Sequence, residues 1–298
     1  MNFIVDIEDL IPARHKAAVA ANEATYIDPK TGYKVMTSET LQKRGRCCGC
    51  GCRHCPYNHV NVTMDKHAAK ISVPALLHGS FSELAADGVD VLFWSGGKDS
   101  FLALRALARE HQGNSNGKLL LLTTFNASSR TVAHQEVPIS SIVRQASTLD
   151  VPLLGVPLWP QIPYEERVGE ALRLIVTNNI TIRRVCNGDL HLDSVRAWRR
   201  ERLGTILTEI GAKEHAPLFN VPYEALLQDL HESGIACVVC ALGDAQCWSG
   251  KQPCVAVGEI FDAVLVERLG EAGADRFGEN GEFHTLAEVW NEPNSPAL

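Results

Sequence analysis

Two stretches of the 298-residue chain carry residues whose types and spacing can do chemistry. The first is V-L-F-W-S-G-G-K-D-S at residues 91–100. Its four apolar residues read as a buried parallel strand and its paired glycines as a tight turn. Phe101, Leu102, Leu104, Leu107 and Ala108 then fall on one face of a helix. Strand, glycine turn and helix start together present backbone N–H groups and the positive end of a helix dipole. That arrangement suits an anion, above all a phosphate. The Walker pattern G-x-x-x-x-G-K-[ST] is not matched, because Leu92 stands where its first glycine should be.

The second stretch is R-G-R-C-C-G-C-G-C-R-H-C-P-Y at residues 44–57, which places Cys47, Cys48, Cys50, Cys52 and Cys55 within nine positions. Cys52 and Cys55 have a spacing at which two thiolates can face one ion. Lys43, Arg44, Arg46 and Arg53 lie nearby, with no carboxylate between Glu39 and Asp65, and such a positive field favours thiolate. The five cysteines are expected to hold zinc or an iron–sulfur cluster. The competing expectation is thiols packed as small apolar side chains.

The S-G-G-K-D-S order resembles the PP-loop of the ATP pyrophosphatase group within the adenine-nucleotide α-hydrolase-like superfamily. The resemblance implies that Ser95, Gly96, Gly97 and Ser100 bind the pyrophosphate part of ATP, that Lys98 adds charge and that Asp99 approaches Mg²⁺. A substrate oxygen would be adenylylated at the α-phosphate, pyrophosphate would leave, and a nucleophile would displace AMP. Further motifs are similar to those of the diphthine–ammonia ligase family, PP-loop enzymes that turn a carboxylate into an amide with ATP and ammonium. They are His134 with a helix ending in Gln145-Ala146, Val156-Pro157-Leu158, and Gly188-Asp189 before a helix bearing Arg196 and Arg199. Ala216-Pro217-Leu218-Phe219 and G-E-N-G-E-F-H-T at residues 278–285 complete the set, which runs from residue 90 to about 290. By this resemblance His134, Gly188 and Asp189 serve the nucleotide, and Arg196, Arg199, Asn280 and Thr285 the substrate. Lys98, Asp99, Glu279, Glu282 and His284 would carry catalysis. The cysteine stretch lies outside the ligase pattern and resembles a separate small module of unassigned role.

Some of these residues can be read without the family. Glu279 and Glu282 on one glycine turn can hold an ammonium or Mg²⁺ ion, or act as a general base. Arg196, Arg199 and Arg200 stand at i, i+3 and i+4 and form a cationic face for a carboxylate or phosphate, although Arg200 beside Glu201 reads as solvated. Cys237-x2-Cys240 lies in an apolar run that reads as a buried strand before it reads as a second metal site.

The elements that position these residues alternate from about residue 76. Strands are expected at 119–125, 151–159 and 181–186, helices at 134–149 and 163–176, and a last strand at 286–290, with a short helical pattern within residues 1–30. The predicted fold is α/β: an open, mostly parallel sheet with helices on both faces, of the HUP/Rossmann-like kind. A smaller α+β C-terminal part and a cysteine-rich N-terminal extension complete it, divided as 1–75, 76–190 and 191–298. Ligands of open α/β sheets sit beyond the carboxyl ends of the strands, so the expected site is lined by residues 95–100, 126–130, Trp159 and 187–191.

With 45% hydrophobic and 21% charged residues the composition is that of a globular protein, and no apolar run has the length of a membrane span. A cytoplasmic location is the expectation. A formal net charge of −7 argues against broad binding to nucleic acid and leaves room only for a local basic patch. The expected function is an AMP-forming ligase acting on ATP, Mg²⁺, ammonium and a carboxylate, small or protein-borne. The alternatives are a PP-loop tRNA sulfur transferase drawing on a cysteine-bound cluster, and a regulator that binds ATP without turning it over.

Overall fold

A computed structural model of the chain describes residues 10–29, 34–48, 50, 52–57, 60, 72–84, 88–111, 118–244, 246–248 and 252–291. Two compact units divide it, Met1–Lys70 and Ile71–Leu298. In the first, helix α1 (Leu10–Ala20) precedes an antiparallel pair, β1 (Thr25–Ile27) and β2 (Lys34–Met36), and a short helix α2 (Ser38–Gln42). Thr37 caps α2, its hydroxyl accepting from Thr40 N. The helical pattern expected to about residue 30 therefore stops at Ala20. Asn22 turns the chain at a φ of 56°, and the β-favouring Thr25-Tyr26-Ile27 follows as a strand with Tyr26 buried.

The second unit is a mixed α/β fold of the Rossmann-like kind. After β3 (Ala75–His78) and β4 (Val89–Phe93) come helix α3 (Lys98–His111), β5 (Lys118–Asn126), the two-residue strands β6 (Thr131–Val132) and β7 (Val137–Pro138), and α4 (Ile139–Leu149). Then follow β8 (Leu153–Leu158), α5 (Tyr164–Thr177), β9 (Ile182–Cys186), α6 (Asp193–Ile210) and β10 (Lys213–His215). The chain continues through α7 (Tyr223–Ser233), β11 (Cys237–Leu242), α8 (Ala263–Ala272) and β12 (Phe283–Ala287).

Six strands form one sheet in the order β10-β9-β4-β5-β8-β3, all parallel except β3, which runs antiparallel to β8 at the edge. Strand alternation sends successive residues to opposite faces. Leu92, Leu121 and Leu153 enter one core, with Phe101 and Leu104 of α3, Ile142 of α4, Leu226 of α7, Leu265 of α8 and Phe283 of β12. Val91, Leu120, Leu122, Leu154 and Val156 enter the other, with α5 and α6. Chain order reverses between β4 and β9, since the strands after β4 run outward on one side and β9 and β10 on the other. Such a switch point opens a crevice at the carboxyl ends of the strands.

The helix expected from residue 134 begins at Ile139 instead. Residues 131–138 form the β6–β7 ribbon, whose turn holds His134 and Glu136 at φ of 69° and 54°, values no α-helix accepts. The last strand also lies earlier than expected, because F-H-T-L-A alternates inward and outward as β12 paired to β11. Among the described residues no helix is long and apolar enough to cross a membrane.

At the amino end of the sheet Asp90 is fully buried on β4 and accepts from Arg184 Nη2 at 2.6 Å and Nε at 3.1 Å, with His111 Nε2 at 2.8 Å. Burial pushes this carboxyl up, but the Arg184 and His111 hydrogen bonds outweigh it and hold it below the ordinary carboxylate range. A depressed carboxylate contributes stability that is present above its unfolded value and lost as pH falls through its folded one. Asp90→Asn is therefore expected to cost about 3 kcal/mol at neutral pH and almost nothing in strong acid, read from urea unfolding at both conditions.

Candidate functional site

The loop after β4 is built around one carbonyl. Gly96 O accepts from Gln145 Nε2 of α4 at 2.9 Å and from Ala287 N of β12 at 2.8 Å. Gln145 is completely buried, and its Oε1 accepts from the indole Nε1 of Trp94 at 2.9 Å while Nε2 also donates to Ala287 O at 2.8 Å. Gly96 has a φ of 82°, and a Cβ there would stand 2.5 Å from both Gln145 Oε1 and Ile142 Cδ1. Both the turn and the packing exclude a side chain.

From this anchored loop α3 starts at Lys98. Ser100 Oγ donates to Gly97 O at 2.9 Å and lies 3.4 Å from Ser95 Oγ, so the two serines of the motif face each other over the first turn. Lys98 N donates to Thr285 Oγ1 at 3.0 Å. Thr285, expected at the substrate, is placed as a cap on the helix start, reaching it from β12.

Lys98 is almost wholly buried. Its Nζ pairs with Asp99 Oδ2 at 2.9 Å and lies 5.4–5.6 Å from the ring centres of Phe261, Phe277 and Phe283. The other oxygen, Asp99 Oδ1, is buried and has no hydrogen-bond partner among the described residues.

Across the switch point the chain leaves β9 through Asn187-Gly188-Asp189. A Cβ on Gly188 would lie 2.8 Å from the carbonyl carbon and oxygen of Asp99, so glycine allows this loop to touch the first turn of α3. Asn187 is 1% exposed; its Oδ1 accepts from Asp189 N at 3.2 Å, whereas the donor Nδ2 is buried and has no partner among the described residues. Asp189 accepts two bonds from Arg199, at 2.8 and 3.3 Å, so these two expected ligand contacts hold one another.

A cleft of about 680 Å³ joins these parts. Ser95, Gly97, Lys98, Asp99, Ser100, His134, Gly188, Asp189, Arg199, Glu279, His284 and Thr285 all line it, while Tyr164 and Trp198 form an aromatic wall with ring centres 5.6 Å apart. Gly96 lies behind the loop it shapes. Arg196 is stacked over Phe219 at 3.8 Å, outside the cleft lining, and Arg200 pairs with Glu214 on the surface.

The two glutamates of the glycine turn part company. Glu279 faces the cleft. Burial, then the charge of Asp99, pushes its carboxyl up to about 8. His284, which lines the same cleft, is pushed down to about 4, by burial and then by His134, whose ring centre lies 5.4 Å away. Glu282 is 2% exposed and opens on a separate pocket of about 190 Å³ with Asn280, Cys247 and Trp248. Its carboxylate accepts from Asp275 N at 2.9 Å, Asn280 N at 3.0 Å and Asn280 Nδ2 at 3.2 Å. Glu282 and Asn280 thus organise the turn that presents Glu279.

Asp275 does the same from the other end. Its Oδ1 accepts from Phe277 N and Glu279 N, and Tyr223 OH donates to the carboxylate at 3.0 Å. Neither Asp275 nor Tyr223 carried a site expectation, although Asp before a glycine turn is a recognisable Asx-turn signal.

In the first unit four of the five cysteines stand in two pairs. Cys48 and Cys52 have their sulfurs 3.4 Å apart, and Cys55 and Cys47 theirs 3.8 Å apart. Cys50 Sγ approaches Cys48 O at 3.5 Å. Among the described residues no three His, Cys, Asp or Glu groups converge as ion ligands. In the second unit Cys237 is buried and pushed up to about 12, which fits its reading as a small apolar side chain on β11.

A family profile described as a family of unknown function (DUF5522) matches residues 14–61, within the first unit. Among solved structures the chain is similar to one described as a predicted subunit of tRNA methyltransferase from Methanocaldococcus jannaschii. Identity is 14% and the TM-score 0.33, over 67% of this chain and 96% of that one.

Two variants separate the glutamates. Glu282→Gln puts an N–H where a buried acceptor is needed and is expected to destabilise the second unit by about 1–3 kcal/mol. Glu279→Gln, which stands in for the protonated carboxyl, should match the wild type below 4.5 and be the more stable protein near pH 7. A folded carboxyl held up near 8 keeps a proton that its unfolded counterpart, at 4.5, releases, so its contribution is full below 4.5 and lost as pH rises towards 8. Melting curves across that range should show this decline in the wild type and its absence in Glu279→Gln.

Proposed function

We propose that this chain is an ATP-dependent, AMP-forming ligase of the PP-loop kind, similar to diphthine–ammonia ligases, that adenylylates a carboxylate and amidates it with ammonium. The observation that carries the reading is that two residues lining the switch-point cleft each hold a buried polar atom with no hydrogen-bond partner among the described residues: the acceptor Asp99 Oδ1 and the donor Asn187 Nδ2. Each is costly to bury without a partner. A phosphate oxygen answers the amide and a cation answers the carboxylate, and magnesium-bound ATP brings both.

The remaining roles follow from position. Residues 95–100 and the start of α3 receive the terminal phosphates, helped by the helix dipole. Asp99 is the group that would hold Mg²⁺, which would supply charge neutralisation for the leaving pyrophosphate. Lys98 Nζ lies close to the loop, where Asp99 and three phenyl rings surround it and offset its burial. The Tyr164–Trp198 wall and the Leu158, Leu192 and Val195 side chains line the rest of the cleft, where an acceptor would lie.

Amidation needs ammonium to lose a proton before nitrogen can attack. A carboxyl held near 8 is a better match for ammonium than one at its ordinary value, since efficient proton transfer wants similar affinities. Glu279 is the group so placed. His284, neutral through the physiological range, can accept or donate a hydrogen bond without adding charge.

Incubating the full chain with ATP, Mg²⁺, ammonium and a panel of carboxylates should give AMP and pyrophosphate in equal amounts, with amide formed from one member of the panel. Asn187→Asp, which replaces the unsatisfied donor by an anion of the same size, should lower ATP affinity by at least about 10-fold. Release of ADP and phosphate, or equal affinity in Asn187→Asp, would count against the reading.

A further inference from the structure

The cysteine pairs of the first unit carry a separate chemistry. The limb that bears Cys52 and Cys55 is fixed at three points. Arg53 donates to the fully buried Asp28 at 2.9 Å, Tyr26 OH meets His54 Nε2 at 2.8 Å, and Tyr57 OH donates to Gln42 O at 2.7 Å. His54 is stacked on His15 with ring centres 3.6 Å apart. The other limb follows directly from α2, so the framework sets how close the sulfurs stand. It nests an inner pair, Cys48 and Cys52, within an outer pair, Cys47 and Cys55. The two differ in access: Cys48 is exposed, while Cys47 is 5% exposed.

The geometry points to Cys48 and Cys52 as a thiol–disulfide exchange centre that reduces small disulfides. The sulfurs need to close from 3.4 Å to about 2 Å, a shift that side-chain rotation can supply. Cys48, the accessible member, attacks as thiolate one sulfur of a disulfide RSSR. A Cys48–SR bond forms and RS⁻ leaves, taking the proton that Cys48 gave up. Cys52 then loses its proton and attacks the Cys48 sulfur, closing the Cys48–Cys52 disulfide and expelling the second RS⁻. The net change is two protein thiols oxidised and one RSSR reduced to two RSH. Lys43, Arg44 and Arg46 on the same stretch favour disulfides that carry carboxylates, of which oxidised glutathione is the simplest probe.

The test uses the full chain, reduced under anaerobic conditions and measured for zinc and iron. It is then held in defined mixtures of oxidised and reduced glutathione, trapped by alkylation and mapped by peptide. The expected result is a Cys48–Cys52 disulfide that forms before any involving Cys47 or Cys55 and is reversed by reduced glutathione. Cys48→Ser should lose this rapid phase, and Cys52→Ser should stop at a Cys48–glutathione mixed disulfide. Stoichiometric zinc or iron that keeps the thiols unreactive would overturn the proposal and return the stretch to a metal site. Disulfides spread over the five cysteines without preference would overturn it as well.

Discussion

The second unit depends on the shared carbonyl of Gly96. A helix start offers a phosphate site only if the loop before it is held still, and this loop is held by hydrogen bonds from two distant parts of the chain. Gln145 brings α4, and Ala287 brings β12. A buried primary amide must satisfy both its donor and acceptor ends, and Gln145 does so with Trp94, Gly96 and Ala287. The strand that docks here carries Thr285, which caps α3, and follows directly on the turn that presents Glu279. One node therefore places the β4 loop, the helix start and the acidic turn in a common frame.

That constraint explains why a two-stranded sheet far along the chain belongs to the same core as β4 and α3. Phe277 and Phe283, from either side of the acidic turn, pack with Phe261 around Lys98 and share its buried cluster with Phe101 and Leu104. The polar contacts of the cleft thus rest on apolar contacts behind it. A buried ammonium is tolerated because Asp99 and three aromatic faces surround it. The same burial, with Asp99 close by, raises Glu279. Lys98, Asp99 and Glu279 form one electrostatic system, and a change in any of them is felt by the other two.

Much of this was legible in residue order. The apolar run ending in Ser95-Gly96-Gly97 marks a strand and turn by local chemistry alone, and alternation of strand and helix marks a parallel sheet. The switch point then locates the cleft. What residue order did not reveal is which polar groups face one another. Arg199 and Asp189 read as two ligand contacts and are partners. Glu279 and Glu282 sit three residues apart in one turn, yet one faces the cleft and the other is consumed by backbone amides. Gln145 looked like one motif residue among several, since its three partners lie in parts of the chain that only the tertiary fold brings together. The β6–β7 ribbon was hidden because His134 and Glu136 adopt positive φ without a glycine to announce it.

The central claim is that the β4 loop, the end of β9 and the acidic turn form a single site for magnesium-bound ATP. Amide hydrogen exchange of the full chain, with and without ATP and Mg²⁺, tests it most directly because it reads all three segments in one experiment. Residues 94–100, 186–190 and 278–285 are expected to become protected together, only in the presence of Mg²⁺, with protection of 94–100 lost when AMP replaces ATP. Protection confined to one of the three, or none at saturating nucleotide, would contradict it.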